Sequence, residues 1–291
     1  MGGGLTSRLR TKAKADAAAA AALETAARTE PHAGDPSAAA FFDVDNTLLA
    51  GASIFYFARG LAARDLFHTR DLFRFGWQHV TYRFSGQEDT EGLSDVKDAA
   101  LAFVAGREVA EIVRYGEEIY DERMAERIIS GSRAIAEQHL NAGLRVWLVT
   151  ATPVELASII ARRLGLTGAL GTVSEIVDGR YTGRLVGDPL HGPAKAAAVR
   201  ALAAREGLDL AKCYAYSDSV NDEPMLSLVG HPMALNPDPD LKALARENEW
   251  PVRDFRTARK AVRVGIPTAA GFGAVAGGVA AGIALRRRYV A

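Results

Sequence analysis

The sequence predicts an α/β fold, and three observations carry that expectation. Short apolar runs at residues 38–42, 144–150 and 214–217 have strand length and end abruptly in polar residues. The segments between them repeat apolar residues at spacings of three and four, as helices do. Two of the runs terminate in aspartates, and the carboxyl ends of strands are where an open α/β sheet binds its ligands. A chain of 291 residues suits one core with an insertion or appendages.

Residues 1–37 carry Arg8, Arg10, Lys12 and Lys14 ahead of an alanine run from Ala17 to Ala22. No apolar block of signal-peptide length follows the basic residues, so this part is expected to be a disordered or partly helical tail, closed off by Pro31 and Pro36. The strand at 38–42 then leads into Asp43-Val44-Asp45, with Asn46-Thr47 as the turn that leaves it. Alternation along extended chain lets Asp43 and Asp45 reach the mouth of a site while Val44 returns to the core.

Residues 51–132 follow a helical pattern, with Ile54, Phe57, Ala58 and Leu61 on one stretch and Leu101, Val104, Val109, Ile112 and Val113 on another. Aromatic residues between Phe55 and Phe84 alternate with Arg59, Arg64, Arg70, Arg74 and Arg83. They suit the insertion's own core with a solvated basic face, or alternatively a face made for an apolar anionic substrate or a bilayer. The strand at 144–150 ends in Thr150 and is followed by Ala151-Thr152-Pro153, with proline placed to start a helix. Asp178-Gly179 marks a two-residue hairpin turn. His191-Gly192-Pro193-Ala194-Lys195 opens an alanine-rich helix, and the strand at 214–217 runs into Asp218, with Asn221 and Asp222 at the next helix start. Asp43, Asp45, Asp218 and Asp222 make an all-oxygen cluster suited to Mg²⁺. A last short strand is expected at 231–236, where His231 beside Pro232 is structural.

Residues 264–285 carry no charge and are flanked by Arg253, Arg256, Arg259, Lys260 and Arg263 before and Arg286, Arg287 and Arg288 after. Their length suffices to span a bilayer, although six glycines and Pro267 keep them only modestly apolar. They are a candidate membrane anchor, which would hold the preceding domain on the cytoplasmic side. Acidic and basic residues balance at 35 each, which gives no field to attract nucleic acid. A single cysteine, Cys213, excludes an internal disulfide and fits a cytoplasmic setting.

Taken in order, Asp43-x-Asp45-x-Thr47, Thr150, Lys195 and the Asp218/Asp222 pair resemble the four motifs of the haloacid dehalogenase (HAD) superfamily of phosphatases, subfamily IB, in its phosphoserine-phosphatase-like branch. The resemblance covers roughly residues 38–240. It implies a Rossmann-like core with a mostly parallel sheet, at 38–50 and 133–255, an α-helical cap at 51–132, and a basic flank plus candidate anchor at 256–291. It also implies Asp43 as nucleophile and Asp45 as general acid and base, with Thr150 and Lys195 on the phosphate oxygens. Mg²⁺ would lie on Asp43, Asp218 and the carbonyl of Asp45, with Asp222 and Asn221 in support.

Two positions depart from authentic phosphoserine phosphatases. Ala52 stands where they carry a glutamate that grips the substrate's ammonium, and Ser217 and Ser219 flank Asp218 where glycine is usual. A neutral Ala52 cannot pair with an ammonium. The leading expectation is therefore a Mg²⁺-dependent phosphomonoesterase resembling phosphoserine phosphatase. The alternatives are a membrane-associated phosphatase of a phospholipid or lysophospholipid phosphate and, in another class, a silent membrane-tethered binding module.

Overall fold

The computed structural model describes residues 3–26, 34–64, 66 and 104–256. Its centre is a parallel sheet of six strands: β1 (Ala39–Phe42), β2 (Arg145–Pro153), β3 (Gly168–Thr172), β6 (Tyr214–Ser217), β7 (His231–Leu235) and β8 (Val252–Arg253). Their order is β3-β2-β1-β6-β7-β8, and every neighbouring pair is parallel. The chain builds outward from β1 in one direction, then returns to β1's other side and builds outward again. The crevice at the carboxyl ends of β1 and β6 is the switch point at which such sheets bind ligands.

All four β1 residues are buried, as a strand covered on both faces requires. Ala39 and Phe41 join Trp147, Val149, Ala215 and Ala234 in a core lined by α6 (Pro193–Glu206), α7 (Glu223–Leu226) and α8 (Pro239–Glu247). On the opposite face Phe42 stacks on Tyr216 with ring centroids 4.2 Å apart. His139 of α4 (Ser130–Asn141) meets the Tyr216 hydroxyl at 2.6 Å. Burial lowers the pKa of His139, which favours the neutral ring in that place.

Of the amino-terminal segment, expected as a disordered or partly helical tail, the described residues 3–26 are helical through Thr25. Helix α1 (Gly3–Thr25) buries Ala18, Ala19 and Ala22 in the core that contains Ala194, Ala198 and Val199 of α6. Side chains this small let two backbones approach closely, and Gly187 makes room, since a Cβ there would sit 2.8 Å from the Ala18 nitrogen. Arg205 of α6 donates through Nη1 to the carbonyls of Leu23 (2.8 Å) and Ala26 (3.1 Å), satisfying acceptors left open at the helix end.

Between β1 and β2 lie α2 (Ser53–Ala62) and α3 (Val109–Ile119), followed by a π-turn at Tyr120–Met124 and a 3₁₀ turn at Ala125–Arg127. Phe57, Ala58, Leu61 and Ile112 are buried, which matches the helical spacing. Gly116 lets α3 close on the helix after β2, α5 (Val154–Arg163), because a Cβ there would meet Ile159 at 2.7 Å. The two chain crossings between sheet and insertion run side by side: Ala50 N–H donates to the Arg127 carbonyl (2.9 Å) and Ile129 N–H to that of Leu48 (2.7 Å). Of the aromatic and basic stretch between Phe55 and Phe84, residues 67–84 lie outside the described residues.

β2 runs past Thr150 to Pro153, which caps α5 rather than opening it. The expected hairpin is β4 (Ser174–Val177) with β5 (Arg180–Leu185), turning through Asp178 and Gly179, both at positive φ. β3, with two glycines in five residues, has little strand propensity and was not anticipated. Among the described residues no helix is long and apolar enough to cross a membrane. Residues from Asp254 onward form a separate unit, of which 254–256 are described, with an Asp254–Arg256 ion pair at 2.7 Å. The candidate anchor at 264–285 lies outside the described residues.

Candidate active site

Asp43 follows the last residue of β1, and its N–H donates to the Tyr216 carbonyl (2.9 Å) as though the strand continued. That fixes its side chain at the switch point. Val44 is fully buried and Asp45 half-exposed, as alternation demands. Asn46 takes a left-handed conformation (φ 59°) that turns the chain back, so Thr47 re-enters the site, fully buried.

Lys195 projects from the first turn of α6 between two acids. Its Nζ donates to Asp43 Oδ1 at 2.6 Å and to Asp222 Oδ2 at 2.7 Å, and all three groups are buried. Burial works against the lysine's charge, but Asp222 and Asp43 outweigh it and raise the pKa, so the ammonium is held ionised. Asp43 feels the reverse balance: burial, helped by Asp222 and Asp45, outweighs the pull of Lys195 and leaves it pushed up to about 7. Ser217 also donates to Asp222 Oδ2 (2.6 Å), while Asp222 Oδ1 is buried with no hydrogen-bond partner.

The Thr47 hydroxyl lies 3.4 Å from both Asp43 Oδ2 and Asp218 Oδ1, so two carboxylates from strands adjacent in the sheet face one small group. Asp45 Oδ1 accepts the N–H of Ser53 (2.8 Å), the first residue of α2. Ala52, the residue that precedes α2, supplies no side-chain cap, and Asp45 takes that role from the core. The Ser53 hydroxyl meets Thr152 Oγ1 at 2.6 Å, and Thr150 Oγ1 donates to Thr152 Oγ1 (3.1 Å) and accepts the Thr152 N–H (3.2 Å). The phosphate-loop candidate Thr150 is thus buried and tied through Thr152 to the start of the insertion.

Asp43, Asp45, Thr150, Lys195, Asp218 and Asp222 all gather at the carboxyl ends of β1, β2 and β6. Asn221 does not join them: it is exposed, and its amide turns back to the Ser219 hydroxyl (3.3 Å). Thr47, Ser53, Thr152 and Ser217 are site residues that spacing did not single out. The only hint was the threonine of Asp-x-Asp-x-Thr.

A doubly wound parallel sheet with a lysine-bridged acid pair at its switch point defines a hydrolase of the Rossmann-like class. The chain belongs to the haloacid dehalogenase-like hydrolases, whose family model matches residues 40–227, and it is a phosphatase of that family. It is 58% identical over 254 residues to phosphoserine phosphatase SerB1 of Mycobacterium tuberculosis, covering 87% of this chain and 82% of that one. Histidinol-phosphatase of Neisseria meningitidis is 31% identical over 221 residues, 75% of this chain and 98% of its own. A crystal structure of a Bordetella pertussis protein of unknown function matches with a TM-score of 0.66 at 31% identity, over 75% of this chain and 98% of that one.

Proposed function

We propose that the protein is a Mg²⁺-dependent phosphomonoester hydrolase that works through an aspartyl-phosphate on Asp43. The observation that supports this best is the Lys195 ammonium shared by Asp43 and Asp222 at 2.6 and 2.7 Å, beside an Asp43–Thr47–Asp218 contact. Asp43 attacks phosphorus in line, forming an acyl phosphate as the bond to the leaving oxygen breaks. Asp45 gives that oxygen a proton and later takes one from the attacking water. Lys195, the Thr150 hydroxyl and the N–H groups that open α5 hold the nonbridging oxygens. Asp222 keeps Lys195 in place.

The donor set fits magnesium. Asp43 and Asp218 offer hard oxygens that would hold the ion together with the main-chain carbonyl of Asp45, with water and substrate filling the rest. Among the described residues no group of three or more His, Cys, Asp or Glu side chains is placed to hold a metal ion, so the four-aspartate cluster expected from the sequence does not form, and Asp222 turns to Lys195 instead. The unpartnered Asp222 Oδ1 leaves one buried acceptor for a water in that shell. When bound, Mg²⁺ supplies positive charge between carboxylate and phosphate. We assign residues 38–50 and 133–255 to the catalytic core and 51–132 to the cap.

Phosphoserine is the first substrate to try, from the M. tuberculosis relative's name. Ala52 offers no charge to an ammonium, and the adjoining Ser53 spends its polar groups on Asp45 and Thr152. Histidinol phosphate, taken from the N. meningitidis relative's name, is the comparison substrate; it carries an ammonium as phosphoserine does, so Ala52 does not separate the two. Of the stretches that suggested a lipid phosphate, residues 67–84 of the aromatic and basic run at 55–84, and all of 264–285, lie outside the described residues. Phosphate release from both compounds, with Mg²⁺ and with EDTA, beside Asp43→Asn, tests the proposal. Activity that survives EDTA or the substitution would overturn it.

A further inference from the structure

The two loops that carry the acids come from distant parts of the chain, and both are held by one short turn after β7. Asn236 is fully buried and left-handed (φ 52°), and its N–H donates to the Arg253 carbonyl (2.7 Å), which fixes the turn to β8. Its side-chain Nδ2 donates to the main-chain carbonyl of Asn46 (3.0 Å), the residue between Asp45 and Thr47. Two residues on, the Asp238 N–H donates to the main-chain carbonyl of Asp218 (2.7 Å). The Asp238 carboxylate divides its oxygens: Oδ2 accepts the Val220 N–H (3.1 Å) and Oδ1 accepts the Leu241 N–H (2.7 Å), capping α8.

We propose that Asn236 and Asp238 are positioning residues of the phosphatase, a two-point clamp that sets the distance between the Asp43–Asp45 loop and the Asp218–Asp222 loop. The proposal rests on the reading that Asp43 and Asp218 share one Mg²⁺. Magnesium demands near-ideal octahedral geometry at about 2.0–2.1 Å, so a loop that drifts weakens metal binding before it unfolds anything. In-line attack is as sensitive, since a displacement of about 1 Å costs on the order of 10²-fold. Two bonds close the Asn46 turn, Asn46 N–H to the Leu49 carbonyl (2.6 Å) and Gly51 N–H to Asn46 Oδ1 (3.1 Å), and beside the long Thr47–Asp218 contact (3.4 Å) the Asn236 bond ties its backbone to the far side of the site. Asparagine suits position 236 on two counts: it tolerates positive φ and it carries the donor that a carbonyl requires.

Two substitutions separate positioning from folding. Asn236→Asp keeps the shape and the left-handed preference but sets an oxygen against the Asn46 carbonyl. Asp238→Asn keeps an oxygen for the Leu241 cap while turning an NH₂ toward the Val220 N–H. Asp209→Ala, which removes a cap from the Ala211 N–H (3.0 Å) away from the site, is the control for stability loss alone. Mg²⁺ affinity is read by titration calorimetry on the full chain, and kcat and KM by phosphate release, all at a temperature where circular dichroism shows the proteins folded. The expected result is a Mg²⁺ affinity about tenfold weaker and a kcat at least tenfold lower in both clamp variants, with KM within twofold and the control unchanged. Affinity and kcat within twofold of wild type in a folded Asn236→Asp or Asp238→Asn protein would overturn the clamp. Should Asn236→Asp fail to fold, Asn236→Gly, which accepts the positive φ and removes the donor, decides by the same measurements. The function reading fails separately, if wild type and Asp43→Asn release phosphate equally, and the clamp is then judged on Mg²⁺ affinity alone.

Discussion

Asp43 is a carboxyl whose surroundings hold its proton to about pH 7, far above its ordinary 3.8, because burial outweighs the pull of Lys195. Through that window the unfolded chain gives up its proton before the folded one does, so the folded state binds more protons and loses stability as pH rises. Metal-free wild type should therefore lose Tm relative to Asp43→Asn between pH 3.8 and about 7, and show a constant difference above that. Calorimetric scans across the range check this, and a flat difference would contradict the burial of the group. The acids and Lys195 were legible in the sequence because each ends a strand or starts a helix at a motif. Asn236 was not, since its partner Asn46 lies 190 residues away and only the sheet order brings them together; Thr47 was read as part of its motif, but not its contact with Asp218, 171 residues away. Asn221 was overvalued because its neighbours Asp218 and Asp222 point inward while the 3₁₀ turn at Val220–Asp222 turns it to solvent.

At the scale of elements, the strands that meet the site were predictable, and the pieces built of small residues were not. An alanine stripe looks alike on every side, so nothing in α1's sequence marks which face is buried. The structure decides: Ala22 is fully buried and Ala20, two residues away, is exposed. Ala22→Leu should cost about 1–3 kcal/mol by overpacking the seam with α6, while Ala20→Leu stays near neutral. Urea denaturation of the two proteins separates them, and equal midpoints would mean that α1 does not dock in solution. The same uniformity hid β3, whose glycines allow the close approach of Trp147, 2.6 Å from where a Cβ of Gly168 would lie.

Across the whole molecule, a central sheet carries the chemistry and an inserted segment meets it at Asp45, Thr152 and the face of α5. Exposed ion pairs join the insertion to α5, Arg162 with Glu117 at 2.5 Å and Arg163 with Asp121 at 2.7 Å. Pairs so open to solvent contribute little each and are weakened by salt. The less exposed tie, from Ser53 N–H to Asp45 (2.8 Å), is the one that links the insertion to the acid proposed as general acid and base. Replacing residues 51–126 with a two-residue turn should leave a core that still melts cooperatively but no longer distinguishes phosphoserine from p-nitrophenyl phosphate. A melt without a transition would show that the sheet needs the insertion to fold.

The paired crossings at Ala50–Arg127 and Leu48–Ile129 have a consequence for ancestry. Because the insertion leaves and re-enters the core at neighbouring points, a gene could acquire, lose or exchange that whole segment at two nearby junctions without any strand of the sheet changing its neighbour. Descendants of one ancestral core could thus diverge in what they admit while inheriting the same set of acids.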